Sequence, residues 1–155
     1  MPKPSTQTHR HDTVGSWAKR LYFASRAVMD TILRPYGLGS TQWYVLYQLA
    51  NNGPTMQRDL VRMLNIERAT LSGVVTTLVG KGLVSQVPDA EDQRQRVLRI
   101  TRVGTKLWEA LPDPIAQILA VAFEGADPAE MEIACRVLQA ATKRLNEHDW
   151  EGEQE

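Results

Sequence analysis

Apolar residues recur along this chain at two periods, and the changes of period mark its elements. From Asp12 onward Val14, Trp17, Leu21, Ala24, Val28 and Ile32 follow in steps of three and four, the spacing that lines one face of an α-helix. Pro35-Tyr36-Gly37 ends that helix. Ser40 stands where a hydroxyl caps a second helix, whose apolar positions are Trp43, Val45, Leu46 and Leu49 and whose stop is Asn51-Asn52-Gly53-Pro54. Thr55 is expected to cap a short third helix holding Leu60, Val61 and Leu64. A tight turn around Asn65-Ile66 then leads to a fourth helix, Glu67 to Gly80. Its inner face is Leu71, Val74, Val75, Leu78 and Val79, and its outer face is Arg68, Thr70, Ser72, Gly73, Thr76 and Thr77.

The period then shortens. Leu83 to Val87 reads as a strand, Pro88 to Asp92 as turn chemistry, and the partly alternating Gln95 to Ile100 as a returning strand. Thr101 caps a further helix running toward Phe123, with Pro112 and Pro114 expected to kink it. Asp127-Pro128-Ala129-Glu130 opens the last helix, with an acidic cap and a proline in its first turn. That helix repeats Met131, Ala134, Leu138, Ala141 and Leu145.

The resulting expectation is a mainly α protein with a small β-hairpin wing. Residues 40–104 form a winged helix-turn-helix and the terminal helices 12–34 and 107–148 serve dimerisation. A flexible arm, 1–11, and a disordered tail, 149–155, flank a single domain over 12–148. In a helix-turn-helix the second helix enters the DNA major groove. The stripes on the terminal helices exceed what the middle of the chain can cover, and a second copy is the simplest cover, which predicts a homodimer.

Composition and charge refine this picture. The chain has 155 residues and one cysteine, Cys135, so an internal disulfide is impossible and a reducing cytoplasm fits. Cys135 falls beside the apolar stripe of the last helix and is expected in the core. Residues 1–10 hold no apolar signal segment and no apolar run is long enough to span a bilayer, so no membrane partner is expected. Three histidines and one cysteine, scattered, offer no metal-ligand spacing. No nucleophile–base set or phosphate loop is present, so neither catalysis nor a cofactor is expected. The net charge of zero argues against a nucleic-acid binder until its distribution is seen. Residues 1–57 carry six Lys/Arg against two acids and residues 58–106 nine against five, while residues 107–155 carry three against eleven. A basic front and an acidic rear suit a protein that turns one side to phosphates.

The ordered set of segments Leu38-Gly39-Ser40-Thr41-Gln42-Trp43-Tyr44-Val45-Leu46, Asn52 to Leu60, Leu64 to Val75, Lys81-Gly82-Leu83-Val84, Pro88 to Arg94 and Leu98 to Gly104 resembles the core of the MarR family, the multiple-antibiotic-resistance regulators. The resemblance covers about residues 36–110. Asp92-Gln93-Arg94 matches the family's Asp-x-Arg pair in the wing. A second arginine often stands beside that one; here the position is Gln93, and Arg96 is the candidate substitute. The resemblance implies a dimer with interlocked terminal helices that acts as a transcriptional regulator. Many members are repressors released by a small aromatic or phenolic acid bound where the dimer helices meet the DNA-binding part.

Candidate sites follow. On the fourth helix Glu67, Arg68, Thr70, Ser72, Gly73 and Thr76 are candidates for the major groove. Small residues let a helix sit deep, and arginine bidentate to guanine is the commonest specific contact. Thr55, Gln57, Arg58, Arg62 and Lys81 are candidates for phosphate. Arg94 and Arg96 are candidates for the minor groove, whose narrow A·T-rich form attracts arginine. The DNA partner implied is a double-stranded inverted-repeat operator. An aromatic-acid effector of the hydroxybenzoate, cinnamate or hydroxynicotinate type needs flat apolar walls and a cation. Trp17, Arg20, Trp43, Tyr44 and Tyr47 are candidates, with His9 and His11 as donors from the arm. Tryptophans at helical spacing are usually core, and Trp43 reads more readily as a core residue than as a pocket wall. Two other readings stay open: a redox sensor using Cys135, and a protein-interaction module on the same scaffold.

Overall fold

The structure is a computed structural model and describes residues 12–150. The chain falls into two compact units, one up to Ile118 and one from Leu119. In the first, helix α1 (Val14–Leu33) starts at Thr13, whose Oγ1 accepts the Ser16 N–H at 3.2 Å. Only its C-terminal end is buried, at Met29 and Leu33. A short 3-10 turn, Arg34–Tyr36, closes on Gly37 at φ 69°, a left-handed conformation that glycine adopts without steric cost.

Helix α2 (Ser40–Asn52) follows, and its start corrects the sequence reading. Ser40 is not the cap: Gly39 occupies that position and offers no side chain. The acceptor comes from another helix, since Asp30 Oδ1 on α1 takes the Ser40 N–H at 2.7 Å. Thr55 is likewise not a cap. Thr55–Met56 form a short strand, β1, and Thr55 Oγ1 donates to the Gly53 carbonyl at 2.9 Å. Helix α3 (Gln57–Leu64) and helix α4 (Arg68–Gly80) are joined by a turn whose first residue, Asn65, lies at φ 49°; asparagine tolerates that region better than most residues.

Strands β2 (Val84–Pro88) and β3 (Arg96–Ile100) pair antiparallel from Val84↔Ile100 to Pro88↔Arg96. β1 adds to the other edge of β3 at Thr55↔Leu98 and Met56↔Val97. The sheet therefore has three strands in the order β1-β3-β2. Leu46 and Leu49 of α2, Leu60 of α3, Leu71, Val75 and Leu78 of α4, and Leu98 of β3 are all at most 1% exposed. Each such burial contributes about 1.5–3 kcal/mol. Val79, expected on the inner face of α4, is 40% exposed, because it lies at the margin of that face one position beyond Leu78.

Helix α5 (Arg102–Ala110) begins at Thr101, whose Oγ1 accepts the Gly104 N–H at 3.0 Å and donates to the Gly82 carbonyl at 2.6 Å. A Cβ at Gly104 would run into the Leu83 carbonyl oxygen and the Ile100 side chain. The helix expected to reach Phe123 is broken rather than kinked. Leu111, before Pro112, is extended at ψ 142°, as the ring of a following proline requires. Asp113 Oδ1 then accepts the Ala116 N–H at 3.0 Å and opens helix α6 (Pro114–Ala122).

The second unit carries the end of α6, a turn at Gly125 and helix α7 (Pro128–Glu147). Asp127 caps α7 by accepting the Ala129 N–H at 2.7 Å. No residue of α7 is buried, and Leu138 and Leu145 are exposed. Cys135, expected in the core, is exposed as well: among the described residues of this unit no second long element covers the stripe of the 20-residue helix. Among the described residues no helix is long and apolar enough to cross a membrane.

Candidate nucleic-acid interface

Three elements of the first unit converge on one basic cleft of about 560 Å³. Helix α3 contributes Gln57, Arg58, Val61 and Arg62, the start of α4 contributes Arg68 and Ser72, and the hairpin contributes Gln86, Arg94, Gln95 and Arg96. Five of these ten residues are arginines and none is acidic. Among the described residues the one ion pair to a cleft arginine is the long, exposed contact of Arg58 with Asp59 at 3.8 Å. Like charges this close gain from an anionic partner that neutralises them together.

Local structure explains why each side chain stands where it does. Asn65 turns the chain so that α4 starts beside α3, with Glu67 at the cap position and without a side-chain cap bond. Arg68 is thereby placed in the first turn of α4. Gln57 links the three parts: its Oε1 accepts from Gln86 Nε2 at 2.7 Å, and its Nε2 donates to Ser72 Oγ at 3.4 Å. The wing tip is an ordered loop. Asp89 Oδ2 accepts the Glu91 and Asp92 N–H groups at 3.3 and 3.1 Å, and Asp92 Oδ1 accepts the Arg94 N–H at 3.0 Å. The Asp-x-Arg spacing thus has a geometric role, since the carboxylate fixes the backbone from which Arg94 projects.

The cleft gathers Gln57, Arg58, Arg62, Arg68, Ser72, Arg94 and Arg96 from the candidates read in the sequence. Thr70, Gly73 and Thr76 lie on the exposed side of α4 outside its lining, and the Thr76 hydroxyl donates to the Ser72 carbonyl at 2.9 Å. Thr55 sits in β1 and Lys81 beyond the far end of α4. The Lys81 ammonium donates to the Gly37 carbonyl and, at 3.1 Å, to Gln42 Oε1. Gln86 and Gln95 were not singled out from sequence; their place follows from strand pairing, which leaves no local mark.

The aromatic candidates divide into two groups. Trp43 and Tyr47 of α2 stack at 5.2 Å, Tyr44 meets Trp43 edge-on at 5.2 Å, and Trp108 of α5 packs on Trp43 at 5.4 Å. A cavity of about 350 Å³ opens beside them, lined by Trp43, Tyr47, Trp108, Leu111, Pro112, Asp113 and Ile115. Trp108 was missed in the sequence, although Leu107, Trp108 and Leu111 continue the apolar face that begins at the Thr101 cap. Trp43 is 3% exposed, and its Nε1 meets no acceptor among the described residues. Trp17 and Arg20 do not line this cavity; they sit on the exposed side of α1, with the Arg20 guanidinium 4.7 Å from the Trp17 ring. His9 and His11 lie outside the described residues.

Comparison with known proteins bears on the whole arrangement. Residues 36–95 match the model of the MarR family. The HTH-type transcriptional regulator YwoH of Bacillus subtilis is 35% identical over 79 residues, 51% of this chain and 57% of YwoH, so the chain spans little more than half of that relative. The HTH-type transcriptional repressor NicR of Pseudomonas putida is 26% identical over 129 residues, 83% of this chain and 82% of NicR. The structure of Bordetella bronchiseptica BpsR, whose DNA binding is regulated by 6-hydroxynicotinic acid, superposes with a TM-score of 0.75 at 24% identity, covering 93% of this chain and all of that one. The helix-turn-helix, the three-stranded sheet and the family match over residues 36–95 together support a winged helix-turn-helix protein of the MarR type.

Proposed function

We propose that the chain binds double-stranded operator DNA through the arginine cleft, as a homodimer on an inverted repeat, and represses transcription. The observation that carries this reading is the convergence of five arginines from α3, α4 and the wing on one cleft beside the small, exposed face of α4. Arg68, with Ser72 and its neighbours Glu67, Thr70, Gly73 and Thr76, enters the major groove. Arg58, Arg62, Gln57 and Thr55 approach phosphates, and Arg94 and Arg96 reach the flanking minor groove. The terminal helices 12–34 and 107–148 supply the dimer contacts.

Release follows when a small aromatic acid binds near Trp43, Tyr44 and Tyr47. A volume of about 350 Å³ suits a one-ring ligand, and the aromatic wall offers it a stacking face. The carboxylate would pair with Arg20, or with His9 or His11 of the arm, once the second copy is in place. NicR is a repressor and BpsR responds to 6-hydroxynicotinic acid, which supports this ligand class here.

The test is binding to an inverted-repeat operator taken from the DNA upstream of the gene or its neighbours. Arg68→Ala should cost about 1–3 kcal/mol and relax preference at one base pair. Arg94→Ala should weaken binding most where the flanks are A·T-rich. Wild-type affinity in both variants would refute the docking proposed here.

A further inference from the structure

The end of α4 is bonded to the start of α2, and the start of α2 is bonded to α1. From one side Lys81, which caps the C-terminus of α4, donates from Nζ to the Gly37 carbonyl and to Gln42 Oε1. From the other side Asp30 Oδ1 accepts the Ser40 N–H at 2.7 Å, and an Arg26 guanidinium nitrogen donates to Thr41 Oγ1 at 3.1 Å. Arg26 is itself held to α1 by the Tyr22 hydroxyl at 2.9 Å. Residues 37–42 are thus a knot gripped by both helices. Leu38 and Ser40 within it are 5% and 2% exposed, so the knot is packed as well as bonded.

We infer that Lys81 is a positioning residue that couples α1 to the recognition helix α4, and is not a phosphate contact. A lysine serving phosphate needs its ammonium free and facing the DNA. Lys81 lies outside the arginine cleft, and two of its three donors are already used on uncharged oxygens of the knot. The last amides of this end, Lys81, Gly82 and Leu83, donate to the Thr77, Val79 and Leu78 carbonyls, so their exchange reports how firmly the end of α4 is held. A displacement of α1, whether by a second copy or an effector, therefore moves the knot and carries the end of α4 with it. This rests on the DNA-binding reading only for its consequence, since the coupling itself exists without DNA.

The closing experiment has one arm without DNA and one with it. Amide hydrogen exchange on the full chain reads the coupling. Asp30→Ala should speed exchange at Ser40 and also at Lys81, Gly82 and Leu83. In a Lys81→Met background it should still act at Ser40 and add nothing at the end of α4. Lys81→Arg, which keeps the donors, should restore the long-range effect. Equal acceleration in the Met background, or none at α4 in the wild-type background, overturns the inference. In the second arm Lys81→Met should weaken operator binding about two- to tenfold, within the range of coupling mutations, with an unchanged salt slope. A slope reduced by about 0.9, the value for one lost phosphate contact, overturns it, as does unaltered affinity. A wild-type protein that binds no operator would instead sink the functional reading, and the exchange arm would still decide the coupling.

Discussion

Helices α1 and α4 carry apolar stripes of the same kind and meet different fates. On α4 Leu71, Val75 and Leu78 are sealed against α2, α3 and the sheet, at most 1% exposed. On α1 Val14, Trp17, Leu21 and Val28 are 63%, 56%, 44% and 48% exposed, with Tyr22 and Phe23 beside them at 55% and 57%. Free-standing apolar surface of this extent marks an interaction site. The lesson is a division of labour. The winged helix-turn-helix closes its own core and turns its polar face outward, whereas α1 buries only Met29 and Leu33 and leaves the rest of its stripe open, and α7, in the other unit, buries none of its residues.

The strongest way to break this contrast is to charge the open stripe. Leu21→Asp on α1 should abolish dimerisation in light scattering, lower operator affinity at least a hundredfold and leave the far-ultraviolet spectrum of the winged helix-turn-helix intact. A dimer that survives this change would place the interface elsewhere. Next in size, Leu78→Ala in the closed core should destabilise the fold by about 2–5 kcal/mol, read by denaturant unfolding, whereas Leu138→Ala on exposed α7 should cost the isolated protomer little. Comparable losses at the two positions would show that the stripes do not differ as described. Smaller still, Gly104→Ala should cost about 1–3 kcal/mol through overpacking, because its Cβ meets the Leu83 carbonyl where the wing returns to α5. A variant as stable as wild type in thermal melts would mean that the wing and α5 are not locked together.

What the sequence made readable and what it hid share one cause. The stripes at Leu71, Val75 and Leu78, the Asn65 turn, and the caps at Thr101 and Asp127 are local chemistry, and the structure has them where the residues place them. The features that escaped depend on partners distant in the chain. Strand β1 exists because Thr55 pairs with Leu98, and α2 is capped by Asp30 of another helix rather than by Ser40. Among site residues, Arg68 and Arg94 were legible from type and position. Gln86 and Trp108 were not, because their roles come from register and from packing against α2. Cys135 failed for a related reason: its stripe is real, but no described residue buries it.

The central claim is that the arginine cleft serves DNA phosphates and bases on a two-fold site. It is tested most directly by titrating wild-type protein onto an inverted-repeat operator and onto a single half-site across a series of salt concentrations. The account predicts two protomers on the inverted repeat and much weaker binding to the half-site. It also predicts log affinity falling linearly with log salt at about 0.9 per phosphate neutralised, with the slope on the inverted repeat about twice that on the half-site. Affinity insensitive to salt, or equal on the two DNAs, would contradict it.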